Sequence, residues 1–157
     1  MFQISQRGIN DIKLSEGFRS KAYLDSAGIP TIGYGTIRIN GVPVKMGMVC
    51  TVEEAERYLR QDLKVFETEV NKAIAGVPTT QNEYDALVNI CYNIGVSNFR
   101  SSTFLKRHKA GDKIGCAKAF EMWCKVTVNG RKVTNQGLLN RRIREADMYL
   151  RGIYQSK

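Results

Sequence analysis

The segment from Thr51 to Gly76 limits the possible folds more than any other part of the chain. Thr51-Val52-Glu53-Glu54 is a capping box, in which the first hydroxyl and the last carboxylate satisfy the free N–H groups at a helix start. Val52, Ala55, Leu59, Phe66, Val70 and Ala73 then recur at steps of three, four or seven, so one helix face is apolar. Gly76 and Pro78 end the run. Roughly 24 residues rising ~1.5 Å each make a rod of about 36 Å. A rod of that length, set between a β-rich stretch and a helical one, predicts two lobes on one continuous chain.

The flanking segments differ in character. Residues 5–16 read as a short helix with Ser5 as N-cap, Ile9 and Ile12 on one face and Gly17 as the stop. The stretch FRSKAYLDSAGIPTIGYGTIRINGVPV is rich in β-branched and aromatic residues and punctuated by Ser-Ala-Gly and Asn40-Gly41. It predicts a small antiparallel sheet with tight turns. A second capping box, Thr80-Gln81-Asn82-Glu83, opens a helix that runs to Ile94 and closes at Gly95. That helix is apolar almost all round, which makes it the buried centre of its lobe. Further helices are expected near 102–110, 113–124 and 137–151, with an Asn129-Gly130 turn between the last two. The fold class is therefore α+β in one domain: a small antiparallel β lobe over about 14–55, a long joining helix over about 56–78, and a larger helical lobe from 1–13 with 79–157.

With 24 Lys plus Arg against 15 Asp plus Glu, the net charge is +9. Such a surface favours polyanions, whether nucleic acid, anionic membrane or bacterial wall, and charge does not choose among them. No apolar run approaches the ~18 residues of a membrane span. The opening MFQISQRGIN lacks the basic and apolar regions of a signal peptide. The expectation is a protein that stays in the cytoplasm until another agent releases it. The 4 cysteines are scattered without a Cys-x-x-Cys pair, and the single histidine, His108, has none nearby, so no metal site is predicted. Cys91 and Cys116 sit in apolar runs and read as buried thiols. His108, flanked by Lys and Arg, reads as surface, Trp123 as core, and Arg141, Arg142 and Arg144 equally well as a solvated helix face.

The chemistry lies in Glu16-Gly-Phe-Arg-Ser-Lys-Ala-Tyr-Leu-Asp25-Ser-Ala-Gly-Ile-Pro-Thr31. Glycoside hydrolysis needs two carboxyls flanking the scissile bond, one holding a proton and one ionised. Glu16 falls at the negative end of its helix, which opposes ionisation, and burial behind Phe18 would act in the same direction. Asp25 falls in a polar turn beside Ser26, where ionisation is easier. Opposed environments of this kind assign acid and base roles. Taken alone, two acids nine positions apart carry little weight, because solvated surface acids are common.

The surrounding residues add specificity. Glu-x8-Asp-x5-Thr ending in Thr31-Ile-Gly-Tyr-Gly35 resembles the active-site signature of the phage lysozymes, family 24 of the glycoside hydrolases. Tyr84-Asp85-Ala86-Leu87-Val88 through Tyr92-Asn93-Ile94-Gly95 is similar to that family's central helix. Ser101-Ser102-Thr103, Trp123 and Gly137-Leu138-x-x-Arg141-Arg142-x-x-Glu145 follow in family order. The opening Gln3-Ile4-Ser5 with Gly8-Ile9 resembles the subgroup from lambdoid-type phages.

The resemblance implies a muramidase that cleaves the β-1,4 bond between N-acetylmuramic acid and N-acetylglucosamine in peptidoglycan, with inversion and without a cofactor. Glu16 would be the general acid, Asp25 would orient or activate the attacking water, and Thr31 would be a second hydrogen-bond partner to it. Tyr92, Asn93 and Ser102 match sugar-contacting positions, Ile37 matches a position on the sheet side, and Arg141 would approach Glu16. It further implies a monomer that acts on peptidoglycan rather than nucleic acid, without stable membrane insertion, and reaches the wall from the host bacterial cytoplasm with a separate holin. Two other readings are a lytic transglycosylase, which needs no carboxylate to position water, and a non-catalytic wall-binding module, which needs no triad. One position departs from the family: Thr36 stands where many relatives carry histidine, which puts a structural ion pair there in question.

Overall fold

The computed structural model describes residues 2–155. Its elements run α1 (Gln6–Glu16), β1 (Arg19–Leu24), β2 (Pro30–Gly33), β3 (Arg38–Ile39), β4 (Val42–Pro43), α2 (Val52–Ala73), α3 (Gln81–Ile94), α4 (Val96–Ser101), α5 (Thr103–Lys109), α6 (Lys113–Phe120), a 3₁₀ turn (Glu121–Trp123), β5 (Lys125–Val128), β6 (Arg131–Thr134) and α7 (Gln136–Arg151). The class is α+β, with three separate two-stranded antiparallel ribbons, β1-β2, β3-β4 and β5-β6, in place of one sheet. Compactness divides the chain into Ile12–Val65 and a second unit of Met1–Asp11 with Phe66–Lys157. The boundaries fall inside α1 and α2.

Both capping boxes form. Thr51 N–H donates to Glu54 Oε1 at 2.9 Å and Glu54 N–H to Thr51 Oγ1 at 3.1 Å. Thr80 and Glu83 exchange the same pair of bonds at 2.9 and 3.3 Å. Ser5 caps α1, its hydroxyl accepting from Gly8 N–H at 3.1 Å.

In the unit Ile12–Val65, Ile12, Ile32, Ala55, Leu59 and Leu63 are fully buried. Gly33 closes β2 against α2 at a φ of +67°, and a Cβ there would meet the Ala55 Cβ at 3.0 Å. Only glycine meets both demands. In the other unit α3 is buried from Glu83 to Cys91, as its all-round apolarity predicts. Around it runs an aromatic chain with ring centroids 5.8 Å apart for Phe99–Phe104, 5.1 Å for Phe104–Phe120 and 5.5 Å for Phe120–Tyr149. All four thiols are buried and unpaired.

Several expectations need correction. His108 is fully buried, not at the surface. Its neighbours in sequence are basic, but the helical period places it with Phe104 and Leu105 on the inner face of α5. There its Nδ1 lies 2.5 Å from the Tyr149 hydroxyl and its Nε2 2.9 Å from that of Thr79. Burial, reinforced by the Lys113 charge, pushes its pKa down to about 4. Arg141 and Arg142 are likewise buried rather than solvated. Trp123 is half-buried, not core. The Asn129-Gly130 turn turns out to join β5 and β6, a ribbon that had read as a connection between helices, and the short α4 was also unexpected.

Candidate active site

Glu16 is the last residue of α1 and is half-buried. Gly17 ends the helix at a φ of +75°, its N–H donating to the Lys13 carbonyl at 2.9 Å. One turn earlier Lys13 pairs with Glu56 of α2, and its ammonium lies 5.7 Å from the Tyr34 ring centroid. The hydrogen bond from Lys13, with a further one from Arg60, holds the Glu56 carboxyl below its ordinary range. Phe18 packs on Tyr34 at 5.6 Å but is 36% exposed, so it gives the neighbourhood of Glu16 only partial cover.

Asp25 and Thr31 are brought together by the turn between β1 and β2. Tyr23 stands opposite Thr31 and Leu24 opposite Pro30, which leaves Asp25 across from Ile29 and diagonal to Thr31. Asp25 Oδ1 accepts two backbone bonds, from Ala27 N–H at 2.9 Å and Ile29 N–H at 2.8 Å. Thr31, 3% exposed, donates its hydroxyl proton to the Ile29 carbonyl at 2.8 Å. One residue, Ile29, thus fixes the carboxylate through its N–H and the hydroxyl through its C=O. The hydrogen-bonding capacity left over consists of acceptors: Asp25 Oδ2 and the Thr31 lone pairs.

Beyond Thr31 the chain reverses between Ile32 and Thr36, whose N–H and C=O groups bond reciprocally at 2.9 Å. Thr36 is fully buried and donates its hydroxyl to Asp62 Oδ2 at 2.7 Å. The departure at Thr36 therefore leaves a hydroxyl-to-carboxyl hydrogen bond, and burial pushes the Asp62 pKa up to about 6. Because the folded state holds this proton more tightly than the unfolded chain, stability falls as pH rises through roughly 4–6. Asp62→Asn keeps an acceptor for Thr36 and removes the titration. Urea midpoints at pH 4 and 7 should show the decline flattened in the variant, with a gain at pH 7 on the order of 1 kcal/mol after screening at this partly exposed group. An unchanged slope would exclude Asp62 as its source.

Ile37 follows the reversal and is 43% exposed, while its carbonyl accepts from Val44 N–H at 2.9 Å.

The remaining predicted positions lie in the other unit. Tyr92 is half-buried, its ring edge-on to Phe66 at 5.2 Å and 82°. Asn93 is exposed at the end of α3, and its Oδ1 accepts from Arg142 Nη2 at 2.5 Å. Ser102 is 2% exposed and caps α5, its hydroxyl accepting from Leu105 N–H at 3.2 Å and donating to the Phe99 carbonyl at 2.8 Å. With its proton and one lone pair committed inside the chain, the Ser102 hydroxyl serves as a helix cap. Arg141 donates to Asn89 Oδ1 at 2.9 Å and to Glu145 Oε2 at 3.3 Å. Glu145, 2% exposed, also pairs with Arg142 Nε at 2.8 Å. Sequence reasoning missed Arg142 and Glu145 as site-supporting groups. Their signal was spacing: with Met148 and Tyr149 they fall on the buried face of α7.

Among the described residues no group of His, Cys, Asp and Glu could hold a metal ion, and no helix is long and apolar enough to cross a membrane.

The phage lysozyme family model matches residues 13–145. The endolysin of Salmonella phage P22 is 40% identical over 151 residues, 96% of this chain and 99% of its own. Among solved structures, the endolysin from Escherichia coli O157:H7 phage FAHEc1 superposes with a TM-score of 0.94 at 59% identity, covering 99% of this chain and 98% of its own. The muramidase domain of SpmX from Asticaccaulis excentricus gives 0.84 at 34% identity, over 96% and 99% of the two chains.

Proposed function

The chain belongs to the phage lysozyme family, a glycoside hydrolase of cell lysis, and from that premise we propose that it cleaves the β-1,4 bond between N-acetylmuramic acid and N-acetylglucosamine by a single inverting displacement. The observation that carries this reading is the turn at Ile29, which leaves two acceptors, Asp25 Oδ2 and Thr31 Oγ1, with no proton of their own to give. Such a pair suits a water molecule: each acceptor takes one of its protons, and the water's lone pair is left to attack the anomeric carbon. Asp25 draws the proton as the C–O bond forms. Glu16 delivers its own proton to the departing glycosidic oxygen, so that the leaving sugar departs as a neutral alcohol rather than an alkoxide. An inverting geometry needs a carboxyl separation of about 6.5–9.5 Å to admit that water.

Tyr92, Asn93 and Ile37 are proposed sugar contacts, and Arg141 is proposed to approach Glu16. A net charge of +9 favours a wall polymer that carries peptide carboxylates. We further propose a monomer that reaches the wall from the host cytoplasm through a lesion made by a separate holin.

Chromatography of a peptidoglycan digest tests the hydrolytic step. Ordinary reducing N-acetylmuramic ends are expected, and 1,6-anhydro ends would assign the chain to transglycosylation instead.

A further inference from the structure

We propose that Arg142 is a positioning residue for substrate binding, holding the Asn93 carboxamide so that its NH₂ group is presented to the sugar. The inference rests on the lysozyme reading above and on Asn93 as one of its contacts. Arg142 is fully buried on α7, and its guanidinium meets Glu145, Asn93 and Trp123. Nε lies 2.8 Å from Glu145 Oε1, Nη2 lies 2.5 Å from Asn93 Oδ1, and Nη1 makes a long 3.5 Å approach to the Trp123 carbonyl. Asn93 and Trp123 both line a cavity of about 410 Å³, together with Ile94, Met122, Lys125 and Lys132.

A free carboxamide can turn either end outward, and the two ends recognise opposite partners. A guanidinium is a pure donor at every working pH, so the amide oxygen must face it and Nδ2 becomes the outward donor. That donor matches a hydroxyl or an acetamido carbonyl of the glycan. Stability alone accounts poorly for the arrangement. A buried Arg–Glu pair contributes little net stability compared with apolar residues of the same volume. The bond to Asn93 satisfies a buried donor and, because it reaches an exposed side chain at a cavity wall, also fixes which end of that side chain faces outward. Lysine could keep the charge beside Glu145 but lacks the planar fork that reaches Asn93 at the same time.

The test is a double-mutant cycle on soluble peptidoglycan fragments, using wild type, Asn93→Ala, Arg142→Lys and the combination. Each single change is expected to raise KM about five- to tenfold, the loss of one hydrogen bond, with kcat held within about twofold. The combination should be no worse than Asn93→Ala alone, because Arg142 acts through Asn93. Trp123 is the only tryptophan, so its emission reads fragment binding independently of turnover. If Arg142→Lys does not fold, Arg142→Met with Glu145→Leu replaces the pair by apolar side chains and removes the same tether. Multiplying effects, an unmoved KM in either single variant, or a loss confined to kcat would each overturn the proposal. Failure of the lysozyme reading would look different: wild type itself would release no reducing ends and leave Trp123 emission unchanged.

Discussion

Replacing Glu16 with glutamine is expected to lower turnover about a thousandfold while folding and fragment binding persist. Glutamine keeps the size and hydrogen-bonding reach of the side chain but has no proton to transfer, and general acid catalysis accounts for roughly 10²–10⁴ in rate. The position is well suited to a test of this kind. Glu16 ends α1, where Gly17 stops the helix and the Lys13–Glu56 pair fastens the preceding turn to α2. Neither anchor uses the Glu16 carboxyl, so both survive the substitution. The rate of reducing-end release, measured beside the melting temperature, gives the answer. A folded variant that keeps activity within about tenfold of wild type would remove Glu16 from the role of acid.

The largest loss of stability is expected at Asp85, a residue with no part in the proposed chemistry. This carboxylate is fully buried in α3 and accepts from four donors. They are Ser5 N–H at 3.0 Å, the Ser5 hydroxyl, the Gln81 amide at 2.8 Å and the Tyr154 hydroxyl at 2.5 Å. It therefore ties the cap of α1 and the segment after α7 to the central helix. Asp85→Ala strands several donors in a dry interior at once, which should cost about 3–5 kcal/mol. In a chain of this size that corresponds to a fall in melting temperature of roughly 10 °C or more. Turnover per folded molecule at low temperature should change little. A shift below about 2 °C would mean that water or rearrangement satisfies these donors, and the hub would lose its significance.

What could be read from the chain divides along physical lines. Features set by local rules were legible: both capping boxes, the stop at Gly17 and the all-round apolarity of α3 each depend on residues a few positions apart. The polar turn at Asp25 was legible for the same reason, since its bonds run to residues two and four positions on. Polar residues buried by tertiary packing were not. His108, Arg142, Glu145 and Asp85 carry surface-type side chains, and only the partners brought to them from distant elements make their burial tolerable. The capping role of Ser102 was hidden as well, since a capping serine and a sugar-binding serine look alike until the hydroxyl's partners are known. The β5-β6 ribbon escaped because it is mostly exposed and so lacks the alternation that a half-buried strand displays. The role of Thr36 depended on Asp62, 26 positions away, which no local pattern connects.

In the proposed mechanism Asp25 and Thr31 hold a water against the face of the sugar opposite Glu16. The most direct measurement is the anomeric form of the reducing end at the moment of its release, followed by proton NMR before mutarotation. Single displacement at a β-linked sugar predicts that the α anomer appears first. Initial release of the β anomer would mean a covalent intermediate on one carboxylate and would contradict the claim.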